Sequence, residues 1–172
     1  RSTLFPYTTL FRSDDFAYMP QQNIAHAMTA LMAQNKGAKK TDRIKAAFRC
    51  GMKIELFYGI FIFFVCFFLA HPLMQLFSND PVVCKHGVTY LKLISLMYLF
   101  PAVTNGVQGY FRGIGDLKIT LISSFVNMSV RVIFAAVLVF HFSLQIEALP
   151  FSYLAGWIGM LLAEVPLLLR KF

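Results

Sequence analysis

The chain has 172 residues and a formal net charge of +8, but only 14% of its residues are charged and 58% are hydrophobic. With a mean hydropathy of +0.62, this composition excludes an ordinary soluble domain and indicates a membrane protein. The basic residues lie between long apolar runs and do not form one amphipathic face, so they indicate membrane topology and not a nucleic-acid surface.

The first 13 residues contain a segment that we do not expect to be biological. The string from Thr3 to Ser13 matches the translation of a sequencing-adapter oligonucleotide. We therefore treat residues 1–13 as an artefact and exclude them from the fold prediction. We expect the natural protein to begin upstream of Asp14.

Five helices are predicted in chain order after this segment. The first, at about residues 19–38, is moderately apolar and carries Gln22 and Asn23 near its start, which is typical of a helix that lines a polar cavity. The others are predicted at about 43–77, 81–111, 117–140 and 150–169. Leu56–Phe77 alone is 22 residues without Lys, Arg, Asp or Glu. As a helix it spans roughly 30 Å, the thickness of a bilayer core.

Breaker residues divide these helices and predict bends within them. Gly37 is expected to end the first helix, and residues 78–81 to end the second and start the third at a capped proline. Pro72 and Pro101 are expected to kink their helices because proline removes a hydrogen bond. Pro101 and Gly106 are our hinge candidates.

The loop charges predict the orientation of the chain in the membrane. Loops on one side hold eleven Lys or Arg residues, and loops on the other side hold Lys85 alone. The positive-inside rule therefore predicts that loops 36–53 and 112–118 and the C-terminus are cytoplasmic.

Polar side chains at membrane depth are the candidate cavity residues, because lipid solvates them poorly. Arg131 near the midplane is the most costly, at about 2.5–3.5 kcal/mol on insertion scales. It predicts either a carboxylate partner or latch, or a structural pair or hydrogen bond to backbone carbonyls. Asn105 and Gln108 share a helix face with Tyr98 nearby, so they predict a cavity lining or polar contacts between helices.

The remaining polar residues were assigned more conservative roles. Gln22 and Asn23 share a face and are cavity candidates, with a solvated helix end as the alternative. We expect Glu55 and Glu164 to be solvated, or paired with Lys53 and Arg170, near the cytoplasmic ends of their helices. The cysteines and histidines have no metal-ligand spacing, and no catalytic constellation is present. An enzyme is therefore not predicted.

The order of several motifs resembles the C-terminal lobe of the multidrug and toxic compound extrusion (MATE) transporters, in the wider flippase superfamily. These motifs are the helix end Gln34–Ala38, the helix end Pro72–Phe77 followed by Asp80, the pair Tyr90-Leu91, Pro101, the turn Arg112-Gly113-Ile114-Gly115-Asp116, and Val130-Arg131-Val132. Lys36 makes the first helix end more polar than is usual in that family.

The resemblance implies an all-α, polytopic transmembrane bundle of about five helices, matching helices eight to twelve of two six-helix lobes. The chain would then be a truncated fragment that lacks its N-terminal lobe. The implied function is secondary active efflux of organic cations or amphipathic drugs across a bacterial inner membrane, driven by protons or sodium. The implied partners are a small drug-like molecule, the lipid bilayer and the missing lobe, without a cofactor or nucleic acid. The site of the coupling ion is expected in the missing lobe.

Two alternatives remain open, one within transport and one from another functional class. A flippase for lipid-linked oligosaccharides shares the same helical plan, and a cationic lumen would favour it. A non-transporting membrane scaffold should show seams of small residues spaced four apart. Gly106 with Tyr110, and Gly156 with Met160, do not make such a seam.

Overall fold

Seven α-helices are the only regular elements in the part of the chain that the structure describes. The structure is a computed structural model that describes residues 6–77, 79–142 and 148–171, without the side chains of 6–14, 16, 17, 77 and 142. The predicted all-α fold is confirmed. The helices are α1 (Pro6–Gly37), α2 (Thr41–Phe68), α3 (Ala70–Phe77), α4 (Pro81–Ser95), α5 (Leu99–Gly113), α6 (Leu117–Phe142) and α7 (Ala148–Leu169).

Several of these helices have the length and composition of membrane spans. Among the described residues, α2, α6 and α7 are each long and apolar enough to cross a bilayer. Helices α4 and α5 qualify together, as one span that is bent by 55° at a short break. The predicted polytopic membrane bundle is therefore confirmed.

Two predicted helices are each divided in two, and proline chemistry accounts for both breaks. The predicted helix 43–77 is interrupted at Leu69, between α2 and α3, and the predicted helix 81–111 is interrupted at residues 96–98. A proline cannot donate a hydrogen bond to the carbonyl four residues before it. For Pro72 that carbonyl belongs to Phe68, where α2 ends. For Pro101 it belongs to Met97, in the middle of the second break.

The start of α4 follows the local signals in its sequence. The Asp80 carboxylate accepts hydrogen bonds from the backbone N–H groups of Val82 at 2.8 Å and Val83 at 3.4 Å. Pro81 occupies the first helical position, where its missing N–H costs nothing. The predicted cap and proline restart are confirmed at Asp80 and Pro81, whereas Ser78 lies outside the described residues.

Helices α1 and α5 touch backbone to backbone along two glycines. A Cβ atom at Gly109 would lie 2.8 Å from the Ala25 carbonyl oxygen, and one at Gly113 would lie 2.9 Å from the Thr29 carbonyl oxygen. The Thr29 hydroxyl donates to the Gly109 carbonyl at 3.2 Å. This is a small-residue seam of the kind that brings membrane helices together. We missed it in the sequence, and because α1 covers it, it does not support a scaffold function.

Two apolar clusters hold the ends of the bundle. One joins α2, α3, α4 and α7 and includes Tyr98 and Trp157. The other joins α1, α2 and α5 and includes Met32 and Phe111. The polar side chains of Thr104 and Asn105 on α5 lie in the chain between Tyr98 of one cluster and Val107 of the other.

The glycine seam generates a stability prediction. Gly109→Ala should lower the free energy of unfolding by about 1–3 kcal/mol, because the added methyl would meet the backbone of α1, which cannot rotate away. Gly37→Ala is the control, since nothing lies within 4 Å of its Cβ position. Both changes add one methyl group to a helical glycine, at a crowded position and at an open one, so the two variants are compared by unfolding in detergent titrated with dodecyl sulfate. Equal stability of the two variants would show that α1 and α5 do not approach as described.

Candidate functional site

A polar cavity of about 220 Å³ opens between α1, α5, α6 and α7. Because Arg131 and Trp157 lie near the middle of α6 and α7, the cavity is at mid-membrane depth if these helices span the bilayer. Its walls are rich in amide, hydroxyl and aromatic groups. The lining residues are Tyr18, Thr104, Asn105, Gln108, Ser124, Asn127, Met128, Arg131, Trp157 and Met160.

Three of the residues predicted from the sequence meet in this cavity: Asn105, Gln108 and Arg131. The Asn105 side-chain oxygen accepts a hydrogen bond from the Tyr18 hydroxyl at 3.2 Å. The Gln108 amide donates to the Ser124 hydroxyl at 3.5 Å. The side-chain nitrogen of Asn105 has no partner, although it is buried, so it remains available to a ligand.

Arg131 is held by an aromatic ring, a contact that neither sequence-based alternative included. Its guanidinium lies 3.8 Å from the centre of the Tyr153 ring, in the geometry of a cation–π contact. Among the described residues the only ion pair joins Lys171 to Asp116, so Arg131 has no carboxylate partner there. Its positive charge therefore remains uncompensated beside the cavity.

The other predicted cavity and hinge residues lie elsewhere. Tyr98 is buried in an apolar cluster, where its carbonyl accepts a hydrogen bond from the Gln21 amide at 3.3 Å. Gln22 and Asn23 are exposed on α1, outside the cavity. Pro101 is one turn after the break that separates α4 from α5. Gly106 lies within the continuous part of α5 and packs against the Met52 side chain.

Sequence reasoning missed the polar stripe of α6. Ser124 and Asn127 precede Arg131 by seven and four residues, so all three share one helix face, and all three line the cavity. That spacing was a usable signal. Tyr18, Trp157 and Met160 carried no comparable signal, because their positions depend on how α1 and α7 pack.

Two acidic side chains are buried in the bundle, contrary to our expectation. Glu55 and Glu164 are each 0% exposed, and none of their carboxylate oxygens has a hydrogen-bond partner. The predicted solvation, or pairing with Lys53 and Arg170, is wrong. Both residues share a helix face with small or buried residues, and that face turns towards neighbouring helices and away from water.

The surroundings of the two carboxylates differ. Ser123, Gln108 and Arg112 are the polar groups that face the Glu164 carboxylate. Gln108 also lines the cavity, as does Met160, one turn before Glu164 on α7. Glu55 lies between Gly51 and Gly59 on α2, which pack closely on α1 and α5. Glu164 therefore borders the cavity, whereas Glu55 is part of a helix contact.

A larger opening of about 680 Å³ lies between α3 and α4, at the other end of the bundle. Its lining includes His71 and Lys85. It contains none of the residues predicted from the sequence as cavity candidates, and no described acidic side chain lines it.

The chain is similar to known transporter sequences. The profile of the family described as MatE matches residues 7–137. The chain is 26% identical over 149 residues to the probable multidrug resistance protein NorM of Thermotoga maritima, and 25% identical over 146 residues to the protein of that name in Halalkalibacterium halodurans. These alignments cover 86% and 85% of this chain. The chain spans 31% of the length of each relative.

Solved structures share the fold. The chain superposes with a TM-score of 0.82 on an outward-facing conformation of a multidrug resistance MATE family transporter of the MOP superfamily, at 18% identity. The inward-facing conformation of such a transporter gives a TM-score of 0.81 at 16% identity. The similarity covers 97% and 96% of this chain, and 39% of each of those chains.

The close packing of α7 on α6 at Gly156 predicts how a larger residue there would disturb the cavity wall. A Cβ atom at Gly156 would collide with the Arg131 side chain and would lie 2.6 Å from the Asn127 side-chain oxygen. Gly156→Ala should therefore displace Arg131 from the Tyr153 ring and shift the emission of Trp157, the one tryptophan in the sequence. Gly159→Ala should shift the Trp157 emission less, because a Cβ atom there would lie 3.3 Å from its nearest neighbour, the Val130 side chain. Equal spectra for the two variants would argue against this arrangement.

Proposed function

Because the chain belongs to the MatE family, we propose that it takes part in cation-coupled efflux of organic cations or amphipathic drugs by alternating access. The observation that carries the proposal is the polar cavity at the middle of α6 and α7. Transporters with repeated lobes bind substrate near the bilayer midplane, between the lobes. The coupling ion would be a proton or sodium.

The chemistry of the cavity suits a drug-like molecule. The amides of Asn105, Gln108 and Asn127 can donate or accept hydrogen bonds. Trp157 offers an aromatic face, which binds apolar rings and organic cations.

The size of the cavity supports a partner lobe. Small-molecule pockets usually measure about 300–1,000 Å³. At about 220 Å³, the cavity is smaller than this range. We therefore propose that an N-terminal lobe of the same protein completes the site, in line with the 31% coverage of the relatives.

A flippase for lipid-linked oligosaccharides is the second candidate, and Arg131 is the observation that favours it. An uncompensated guanidinium in the cavity would attract a phosphate headgroup and repel a cationic drug. Its contact with the Tyr153 ring keeps the charged group at the wall.

The proposed orientation places the basic loops in the cytoplasm of a bacterial cell. Three predicted cytoplasmic segments meet at one end of the structure, which supports this topology. Lys36, at the end of α1, donates to the Ile114 carbonyl in the turn after α5. Lys171 pairs with Asp116 of the same turn. The turn is tight because Gly115 adopts a φ of +76°, which is open to glycine.

Transport assays test the cavity. In the full-length transporter, Asn105→Ala and Gln108→Ala should each lower efflux of ethidium from cells by about 5- to 100-fold in kcat/KM, the equivalent of one lost hydrogen bond. Ser129→Ala is the control, because Ser129 is exposed on the opposite side of α6. Arg131→Gln should leave ethidium efflux intact or raise it, whereas a flippase would lose export of its phosphate-bearing lipid.

Two results would contradict this proposal. Efflux that is insensitive to both amide substitutions would remove the cavity from the transport path. Source DNA whose reading frame adds no further apolar helices upstream of this chain would remove the proposed first lobe.

Thiol labelling tests the orientation. Cys50 is exposed and lies among the basic residues that begin α2, whereas Cys66 and Cys84 are buried. A membrane-impermeant maleimide should label Cys50 in inside-out vesicles and not in intact cells. Cys50→Ser should abolish this labelling. Labelling from the outside of intact cells that is lost in this variant would invert the proposed topology.

A further inference from the structure

Glu164 combines complete burial with a position one helical turn after Met160, which lines the polar cavity. It is 0% exposed, and neither carboxylate oxygen has a hydrogen-bond partner. Gln108 faces both this carboxylate and the cavity, and Met160 separates the two by one helical turn. The Gln108 side chain therefore lies between Glu164 and the cavity.

The chemistry of such a site favours exchange of a proton. A buried ionised carboxylate is costly unless nearby charges or hydrogen-bond donors stabilise it, so Glu164 would hold a proton while the cavity is empty. The Ser123 hydroxyl and the Gln108 amide supply polar groups that can stabilise the ionised form. A cation that enters the cavity supplies the missing positive charge. Glu164 can thus be protonated or ionised, and the occupancy of the cavity decides which of the two forms is favoured.

Few charged groups of the described residues lie around Glu164. From α5, Arg112 faces it, and the Arg112 Nε atom donates to the Gln108 carbonyl at 3.3 Å. From α6, Arg131 is at the far side of the cavity, over the Tyr153 ring. Helix α4 contacts α7 in the apolar cluster that includes Trp157, and Trp157 lies seven residues before Glu164. Beyond the end of α7, Lys171 is already paired with Asp116.

We propose that Glu164 is a proton-binding carboxylate of this lobe, and that binding of an organic cation in the adjoining cavity releases its proton. In this step the O–H bond of the Glu164 carboxyl breaks, the proton passes to water, and the carboxylate and the bound cation neutralise each other. The inference rests on the proposed function. It differs from our sequence-based expectation, which placed the coupling site in the missing lobe.

A proton suits this site better than a sodium ion does. A hard metal cation is enclosed by several oxygen ligands. Among the described residues, no group of three or more His, Cys, Asp or Glu side chains comes together. Around Glu164 the available oxygens are those of one hydroxyl and one amide, which can stabilise a carboxylate but do not enclose a metal.

Glu55 provides a matched control within the same chain. It is also 0% exposed and its oxygens also lack partners. However, it lies on the α2 face between Gly51 and Gly59 and does not line the cavity. Replacing Glu55 therefore tests the general effect of removing a buried acid from this bundle, without removing the acid that borders the cavity.

The test measures binding of tritiated tetraphenylphosphonium to the full-length transporter across a range of pH. In the unmodified protein, affinity should rise with pH by up to about tenfold for each pH unit over the range in which Glu164 is mostly protonated, because a proton competes with the cation. Glu164→Gln should remove this slope, and Glu164→Asp should retain it. Glu55→Gln should bind with the unmodified slope.

Other outcomes would overturn the assignment. These are a pH-independent affinity in the unmodified protein, an unchanged slope in Glu164→Gln, or a slope lost in Glu55→Gln. A Glu164-dependent response to sodium at constant pH would overturn the choice of a proton.

Failure of the proposed function would be recognised separately. If tetraphenylphosphonium does not bind at any pH, the cation cavity is refuted, and infrared difference spectra then judge Glu164 on its own. A carboxyl carbonyl band that changes with pH in the unmodified protein and in Glu55→Gln, but is absent from Glu164→Gln, supports the proton site. The same band in all three proteins refutes it.

Discussion

The close approach of α1 to α5 is the contact on which the rest of this bundle depends. Apolar helices gain little from meeting each other in lipid, so packing and interhelical hydrogen bonds must hold them. Gly109 and Gly113 let the two backbones touch, and the Thr29 hydroxyl adds a hydrogen bond across the seam. Because α1 lies this close, its Tyr18 reaches Asn105 and becomes a wall of the cavity.

Pro72 and Pro101 are a second constraint on the shape of the bundle. Each removes a hydrogen bond from the helix turn before it, which divides two long apolar segments into four helices. At the break between α4 and α5, the Gln21 amide donates to the Tyr98 carbonyl. A buried side chain of α1 thus satisfies part of the irregular backbone, as membrane proteins require wherever a helix is interrupted. Helix α5, bent by 55° from α4, contributes Asn105 and Gln108 to the cavity that it shares with α6 and α7.

The candidate site was only partly predictable from the sequence. Asn105, Gln108 and Arg131 lie together because each faces away from lipid, and the cost of burying a polar group makes that choice visible in a sequence. Three other polar candidates do not line the cavity: Tyr98, Gln22 and Asn23. Helical periodicity shows which residues share a face of a helix, but it does not show which other helix that face packs against. Glu55 and Glu164 were misplaced because we took nearness to a helix end as exposure to water.

The sequence alone determined the class of the protein and its apolar helices, and it predicts the side on which its basic loops lie. These properties follow from the free energy of moving each segment from water to lipid, which depends on local composition. Only the tertiary structure decided which polar groups meet. The burial of Glu164 beside the cavity, the contact of Arg131 with Tyr153 and the glycine seam all depend on helices distant in the chain. Their relative rotation and depth are set by packing among all of them together, and no single segment encodes it.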